Sequence, residues 1–456
     1  MGCCNRRCGL IAGAVIGAAV AILGGVLLPV GNSIIRETVE KEAVIENGTT
    51  AYDNWFWLFD VQNAEEVVRS GATPVVLEKG PYTYKTRYLA KENITFNSNL
   101  TASFVLPVGA IFDPSMSVGP EEDTVTSLNL AVAVSERHPP PPVLDKLITM
   151  SKSSLFQLRT VKELLWGYND PLFKSQLGLF FPYNGTYEGS FNVYTGKDDI
   201  SKVGMIDRWR GERSLHFWND TYCDMINGTD ASSFSPFVDK KTPLYFFSSD
   251  ICRSVSASFE ASHDLKGIEV YRFALQQNTL DAPTVNPENR CFCKNQKTTR
   301  NCTLAGVLDI STCQDGKPIF ISLPHFLYGS EYLREDVKGL HPNKEHHDTF
   351  LDVEPTTGFT LRFAKRIQVN MMYGPSKNIT VLQKVRDYTI FPLVWMNETA
   401  ALDDETAAMI KGELFSRIDM LDILWKALLG SGVAVFLVCS ISYCMVRRND
   451  NQSKLV

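Results

Sequence analysis

The chain reads as an α+β protein, a large domain rich in antiparallel sheet flanked by two transmembrane helices. Three observations predict this. Each end carries one long apolar run, the stretch between them holds segments that alternate apolar and polar residues, and one segment repeats its leucines at helical spacing.

The apolar runs are Gly9 to Val30, which holds no charge, and Ala427 to Val446, bounded by Lys426 and Arg447. About 20 apolar residues in a helix cross a ~30 Å hydrocarbon layer, so residues 9–30 and 427–446 can each span. A cleaved signal peptide fits the first run poorly. Such peptides have apolar cores of about 7–15 residues, and no good small-x-small cleavage site follows Val30. Arg6 and Arg7 precede the first run and Arg447 and Arg448 follow the second. Basic flanks stay cytosolic, which puts residues 1–8 and 447–456 inside and residues 31–426 outside. Trp425 stands where an interfacial anchor belongs, and Gly13 with Gly17 forms a GxxxG that would admit a second helix closely.

Residues 31–426 belong to a chain with 44% hydrophobic and 21% charged residues, a globular composition. The net charge of −6 gives no bulk attraction to nucleic acid. Two signals put this segment in an oxidising, glycosylating compartment. N-x-S/T sequons occur at Asn47, Asn93, Asn99, Asn184, Asn219, Asn227, Asn301, Asn378 and Asn397. Six cysteines cluster as Cys223, Cys252, Cys291, Cys293, Cys302 and Cys313, an even set that reads as three disulfides. Zinc at Cys291-Phe-Cys293 would ordinarily use C-x-x-C spacing, which is absent. The remaining cysteines, Cys3, Cys4, Cys8, Cys439 and Cys444, lie in the tails and spans, where juxtamembrane thiols accept palmitate. Myristoylation of Gly2 is disfavoured because position six is Arg6.

Within the large segment, Pro139 to Pro142 is a stiff lead into a helix. After it, Leu144, Leu147 and Ile148, then Leu155, Leu158, Val161 and Leu165, recur at helical spacing. Elsewhere period two dominates. Phe359, Leu361, Phe363, Ile367, Val369 and Met371 share one face of a strand whose other face carries Thr360, Arg362, Arg366, Gln368 and Asn370. Ile268 to Leu275 and Ile319 to Leu323 are further strands by their β-branched and aromatic content. Lys365 falls on the apolar face of the long strand, which predicts a bulge turning it to solvent or a polar point within an apolar interior.

No catalytic constellation is present. The sequence has no G-x-S-x-G, H-E-x-x-H or phosphate-cradling G-x-x-x-x-G-K, so neither an enzyme nor a cofactor is expected. His341 to Asp348, with Glu345, His346 and His347, reads as a solvated loop rather than a metal site. Lys146, Lys152, Arg159 and Lys162 occur with no acid inside those limits. On amphipathic helices they would make a cationic surface for carboxylates or phospholipid headgroups, or an ordinary solvated face.

Six blocks in one order carry a resemblance: Gly80-Pro-Tyr-Thr-Tyr84, Ser151-Lys-Ser-Ser-Leu-Phe-Gln157, Glu163-Leu-Leu-Trp-Gly-Tyr168, Cys223-Asp-Met-Ile-Asn227, Ser322-Leu-Pro-His-Phe-Leu-Tyr328 and Glu354-Pro-Thr-Thr-Gly-Phe359. The chain resembles the class B scavenger receptors over nearly its whole length. Its opening Cys8 to Gly17 and closing Ile441 to Cys444 are similar to the fatty acid translocase branch. The resemblance implies a β-barrel-like ectodomain with a helical bundle at its membrane-distal tip and an apolar tunnel toward the bilayer. The implied ligands are long-chain fatty acids and oxidised lipoproteins at the plasma membrane, with Lys146, Lys152, Arg159 and Lys162 as docking residues. It also implies disulfides Cys223–Cys291, Cys252–Cys313 and Cys293–Cys302, and palmitate on Cys3, Cys8 and Cys444. Three departures stand out. Met150 replaces the docking lysine two residues before Lys152. Asn93 to Ser103 lacks the acidic cluster that this branch offers thrombospondin. Segments present in the family are missing between Trp55 and Phe56 and near Gln176. An adhesion receptor without transport and the lysosomal cargo-receptor branch are the competing readings. The tail from Arg447 to Val456 has no acidic dileucine signal, which ranks the lysosomal branch last.

Overall fold

The computed structural model describes residues 6–42, 53–86, 91–134, 141–181, 183–294 and 302–452. Cys3, Asn47 and Asn301 lie outside the described residues. The chain divides into two compact units, one of Met1–Val39, Lys266–Ile268 and Asp403–Val456, the other of Glu40–Leu265 and Glu269–Leu402.

The first unit holds two helices, Arg6–Glu42 and Ser416–Gln452, each extending beyond its apolar run. Both lie in segments long and apolar enough to cross a membrane. They pack antiparallel through small residues. A Cβ at Gly13 would lie 2.6 Å from Cys439 Sγ, one at Gly17 2.6 Å from the Phe436 nitrogen, and one at Gly24 2.6 Å from the Leu429 nitrogen. The glycines of the GxxxG therefore serve close approach within this chain.

The second unit is built on an 11-stranded antiparallel sheet. Its spine pairs Thr360–Tyr373 with Thr389–Ala401, and Thr389–Ala401 with Asp53–Val61, which runs unbroken through Trp55 and Phe56. Val76–Thr86 and Ala110–Phe112 continue the sheet on one side. Phe350–Val353, Ile268–Leu275, Arg253–Leu265 and Leu244–Ser248 continue it on the other. The hydrogen-bonded order is an open path among the described residues. A second sheet of 4 strands comprises Ile206–Trp209, Thr186–Tyr194, Thr101–Val108 and Glu92–Phe96.

Central strands are covered on both faces. In Thr389–Ala401, Phe391, Leu393 and Trp395 join one core with Leu144, Ile148 and Phe326. Val394 and Met396 join another with Phe56, Tyr84 and Leu164. The long strand read from period two is present, but a register shift between Val369 and Asn370 breaks its single apolar face. Ile367 and Val369 pack toward Trp218 and Phe292, whereas Met371 packs with Tyr373 and Phe391. Gln368 and Asn370, expected on a solvated side, are fully buried and bond to Ser322 and to the Phe320 carbonyl. Buried amides persist because each finds a partner.

The expected helix through Leu165 is interrupted. Pro141–Ser151 is helical, Phe156–Thr160 is a strand paired with Thr124–Leu128, and Val161–Trp166 is a separate short helix. Two local devices cause this. Lys152 takes a left-handed φ of 53°, ending the first helix, and a reciprocal cap starts the second. Thr160 Oγ1 accepts from the Glu163 amide at 3.2 Å, and Glu163 Oε2 accepts from the Thr160 amide at 3.0 Å.

Candidate functional site

The basic segment divides by how each charge is held. Lys146 and Lys152 are exposed and have no ion pair among the described residues. Arg159 lies on the strand rather than on a helix. Its guanidinium stacks 4.2 Å over the Tyr168 ring, donates to Gln157 Oε1 at 3.2 Å and lies 3.8 Å from Glu163 Oε1. Lys162 bonds to Glu121 Oε1 at 2.5 Å, and that bond holds its ammonium above the ordinary range. The acid was absent from the sequence window because it arrives from 41 residues away. Beside the two free lysines, Met150 is 71% exposed and Val143 is exposed on the same helix, so the cations border an apolar surface.

An aromatic cluster occupies one face of the large sheet. Phe56 meets Tyr84 at 5.6 Å, Trp166 at 6.0 Å and Phe180 at 5.3 Å. Burial and the nearby Glu121 carboxylate push the Tyr84 hydroxyl up, so it stays a neutral donor to Glu121.

Lys365 adds a polar point. No register shift occurs at Lys365, so the expected bulge is absent, and the residue stands opposite Glu398 with Ile367 and Val369 following on its side. Its ammonium pairs with Asp250 and, at 3.0 Å, with Glu398. Burial opposes the charge, and the two carboxylates outweigh it, leaving the lysine held above its ordinary range.

The segment from His341 to Asp348 is not wholly a solvated loop. Residues Lys344–His347 form a short helix, and His347 is buried, stacked 4.5 Å from His325. Burial lowers its pKa to about 4, so it is neutral at physiological pH. His325 approaches Glu78 Oε2 at 2.5 Å, and Trp395 Nε1 donates to the same oxygen at 2.8 Å.

The structure joins Cys223 to Cys291, Cys252 to Cys313 and Cys293 to Cys302, with Cα separations of 6.1, 6.5 and 5.9 Å. Asp220, Cys223 and Cys291 gather potential metal donors, but those two sulfurs are bonded to each other and are not thiolates. Cys8 and Cys444 are free and exposed. Among sequon asparagines, Asn93, Asn99, Asn184, Asn219 and Asn378 are exposed, Asn227 is half-buried and Asn397 is buried in its strand.

The sequence pattern of the CD36 family matches residues 15–443. The chain belongs to the CD36 family. Lysosome membrane protein 2 of Rattus norvegicus is 34% identical over 435 residues, covering 90% of this chain and 88% of that protein. Scavenger receptor class B member 1 of Sus scrofa is 32% identical over 455 residues, covering 93% and 87%. The Mus musculus protein of the same name is 32% identical over 464 residues. The resemblance to class B scavenger receptors thus holds at the family level, and the lysosomal branch stands among the similar proteins.

Proposed function

We propose that this CD36-family chain is a surface receptor that binds long-chain fatty acids and oxidised lipoproteins and facilitates lipid uptake through an apolar ectodomain tunnel. The observation that carries the reading is the pairing of unspent cations with exposed apolar surface at Lys146, Met150 and Lys152. An amphiphile needs both. Anionic headgroups gain charge-assisted bonds, and each methylene leaving water contributes ~0.8 kcal/mol. The barrel-like closure, the tip bundle, plasma-membrane residence with both termini cytosolic, palmitate on Cys3, Cys8 and Cys444, and glycans on the sequons other than Asn397, which is buried in its strand, belong to the same proposal. Thrombospondin-type adhesion is the weaker partner because Asn93 to Ser103 contains no acidic residue.

The test is docking of oxidised lipoprotein to cells expressing the full chain. Neutralising Lys146, Lys152, Arg159 and Lys162 together should weaken it without changing surface expression. Unchanged docking removes the basic surface from the mechanism. The lysosomal reading has support from the similarity to lysosome membrane protein 2 and predicts steady-state residence in acidic vesicles rather than at the surface.

A further inference from the structure

The charged group around Lys365 lies where the two sheets meet, and four separate segments supply it. Lys365 and Glu398 are cross-strand neighbours in the large sheet. Ser249 and Asp250 lie in the turn between Leu244–Ser248 and Arg253–Leu265, next to the Cys252–Cys313 disulfide. Glu188 belongs to Thr186–Tyr194 in the four-stranded sheet.

Glu188 reaches the group through a local irregularity. The pairing of its strand with Thr101–Val108 shifts register between Tyr187 and Ser190, which leaves Glu188 and Gly189 in the break. Gly189 has φ of 148°, and a Cβ there would stand 2.9 Å from Trp209 Nε1, so only glycine fits. The Glu188 carboxylate then accepts from Ser249 Oγ at 2.5 Å. Arg210 faces this segment too, but donates to the Glu188 main-chain carbonyl at 3.2 Å and stacks on Trp209. The side chains therefore place three carboxylates, Glu188, Asp250 and Glu398, around one ammonium.

We propose that Glu188, Asp250, Lys365 and Glu398 form a pH-governed latch between the four-stranded sheet and the large sheet, closed in acid and loosened toward neutral pH. One lysine balances one carboxylate fully, and the pair on Lys365 already exceeds it. A proton on Glu188 removes the third negative charge and leaves its bond with Ser249 intact. Loss of that proton sets Glu188 against Asp250 and Glu398 across the sheet junction.

The direction follows from linkage. Burial first, then Asp250, pushes the Glu188 carboxyl up to about 7, while Ser249 and Lys365 pull the other way. A solvated glutamate titrates near ~4.3. Between those values the closed form keeps a proton that the open form releases. Latch stability is complete below the solvated value and is lost as pH rises through 7. The opening equilibrium then rises by up to about tenfold per pH unit inside the window and is flat above it. This holds whether or not lipid passes through the domain.

The experiment is hydrogen exchange by mass spectrometry on the full-length chain in nanodiscs, corrected for intrinsic rates, from pH 5 to 8. Peptides covering residues 186–194 and 249–252 should open by about tenfold or more between pH 5 and 7 and then level. Glu188→Gln should abolish that pH dependence. Ser249→Ala keeps the titrating group but removes the bond that pulls its pKa down, so levelling should move to higher pH. Matching profiles for the wild type and Ser249→Ala overturn the latch even if Glu188→Gln does not fold. So does a Glu188→Gln profile that still rises with pH.

Discussion

Two groups of cations in this molecule meet opposite fates. Lys146 and Lys152 stand exposed at and beyond a helix with no ion pair among the described residues, whereas Lys365 sits 30% exposed against Asp250 and Glu398. Removing a cation from water costs several kcal/mol, and neighbouring carboxylates must offset it. Lys365 is thereby committed to holding its own strands and turn. The two free lysines have made no such commitment, so their charge remains available to a ligand. Arg159 and Lys162 fall between the extremes, charged and accessible but already engaged by Glu163 and Glu121.

That contrast can be broken in order of expected effect. Replacing Cys252 and Cys313 by serine should cost about 4 kcal/mol, because the bond closes a long loop, and should free the turn that carries Asp250. Thermal unfolding of the purified chain checks it. Lys365→Met should cost about 3 kcal/mol by leaving its carboxylates uncompensated, read as a lower unfolding midpoint or loss of expression. A midpoint equal to wild type would mean that Lys365 is solvated and that the two groups do not differ. Lys146→Gln with Lys152→Gln should change stability by no more than about 0.5 kcal/mol. The same pair should lose about fivefold per lysine in binding to anionic vesicles, from ~1 kcal/mol for each basic residue near such a surface. Arg159→Gln with Lys162→Gln should show the smallest loss of vesicle binding. Equal losses for the two double variants would erase the distinction between free and engaged cations.

The legible parts of the fold are those whose environment is one-sided. The terminal helices are legible because residues 9–30 and 427–446 within them carry no charge. Thr360–Tyr373 was visible where Arg362 and Arg366 alternate with Leu361 and Phe363. The same rule misplaced Met371, since the register shift after Val369 leaves no trace in residue types. Asp53–Val61 and Thr389–Ala401 were not identified, because strands covered on both faces show no alternation. Leu155, Leu158, Val161 and Leu165 mimicked a helix although Leu158 points outward, 64% exposed, from a strand. In the basic segment, residue types named the cations but not their partners. Glu121 reaches Lys162, and Asp250 reaches Lys365, only through the folded topology. The cysteines show the same limit. Their even number implied three bonds, but pairing is a property of the fold.

The most direct measurement is transfer of a fluorescent long-chain lipid from donor lipoprotein into proteoliposomes that carry the full chain. A cysteine introduced at Met396, on the side of the sheet that packs against the aromatic cluster of Phe56 and Trp166, gives a place to attach a bulky maleimide. If the proposed lipid path follows this face, labelling there stops lipid transfer while lipoprotein still docks. Transfer at the unlabelled rate would mean that lipid does not travel along this face, and an absence of transfer by the unlabelled chain would contradict the transport function itself.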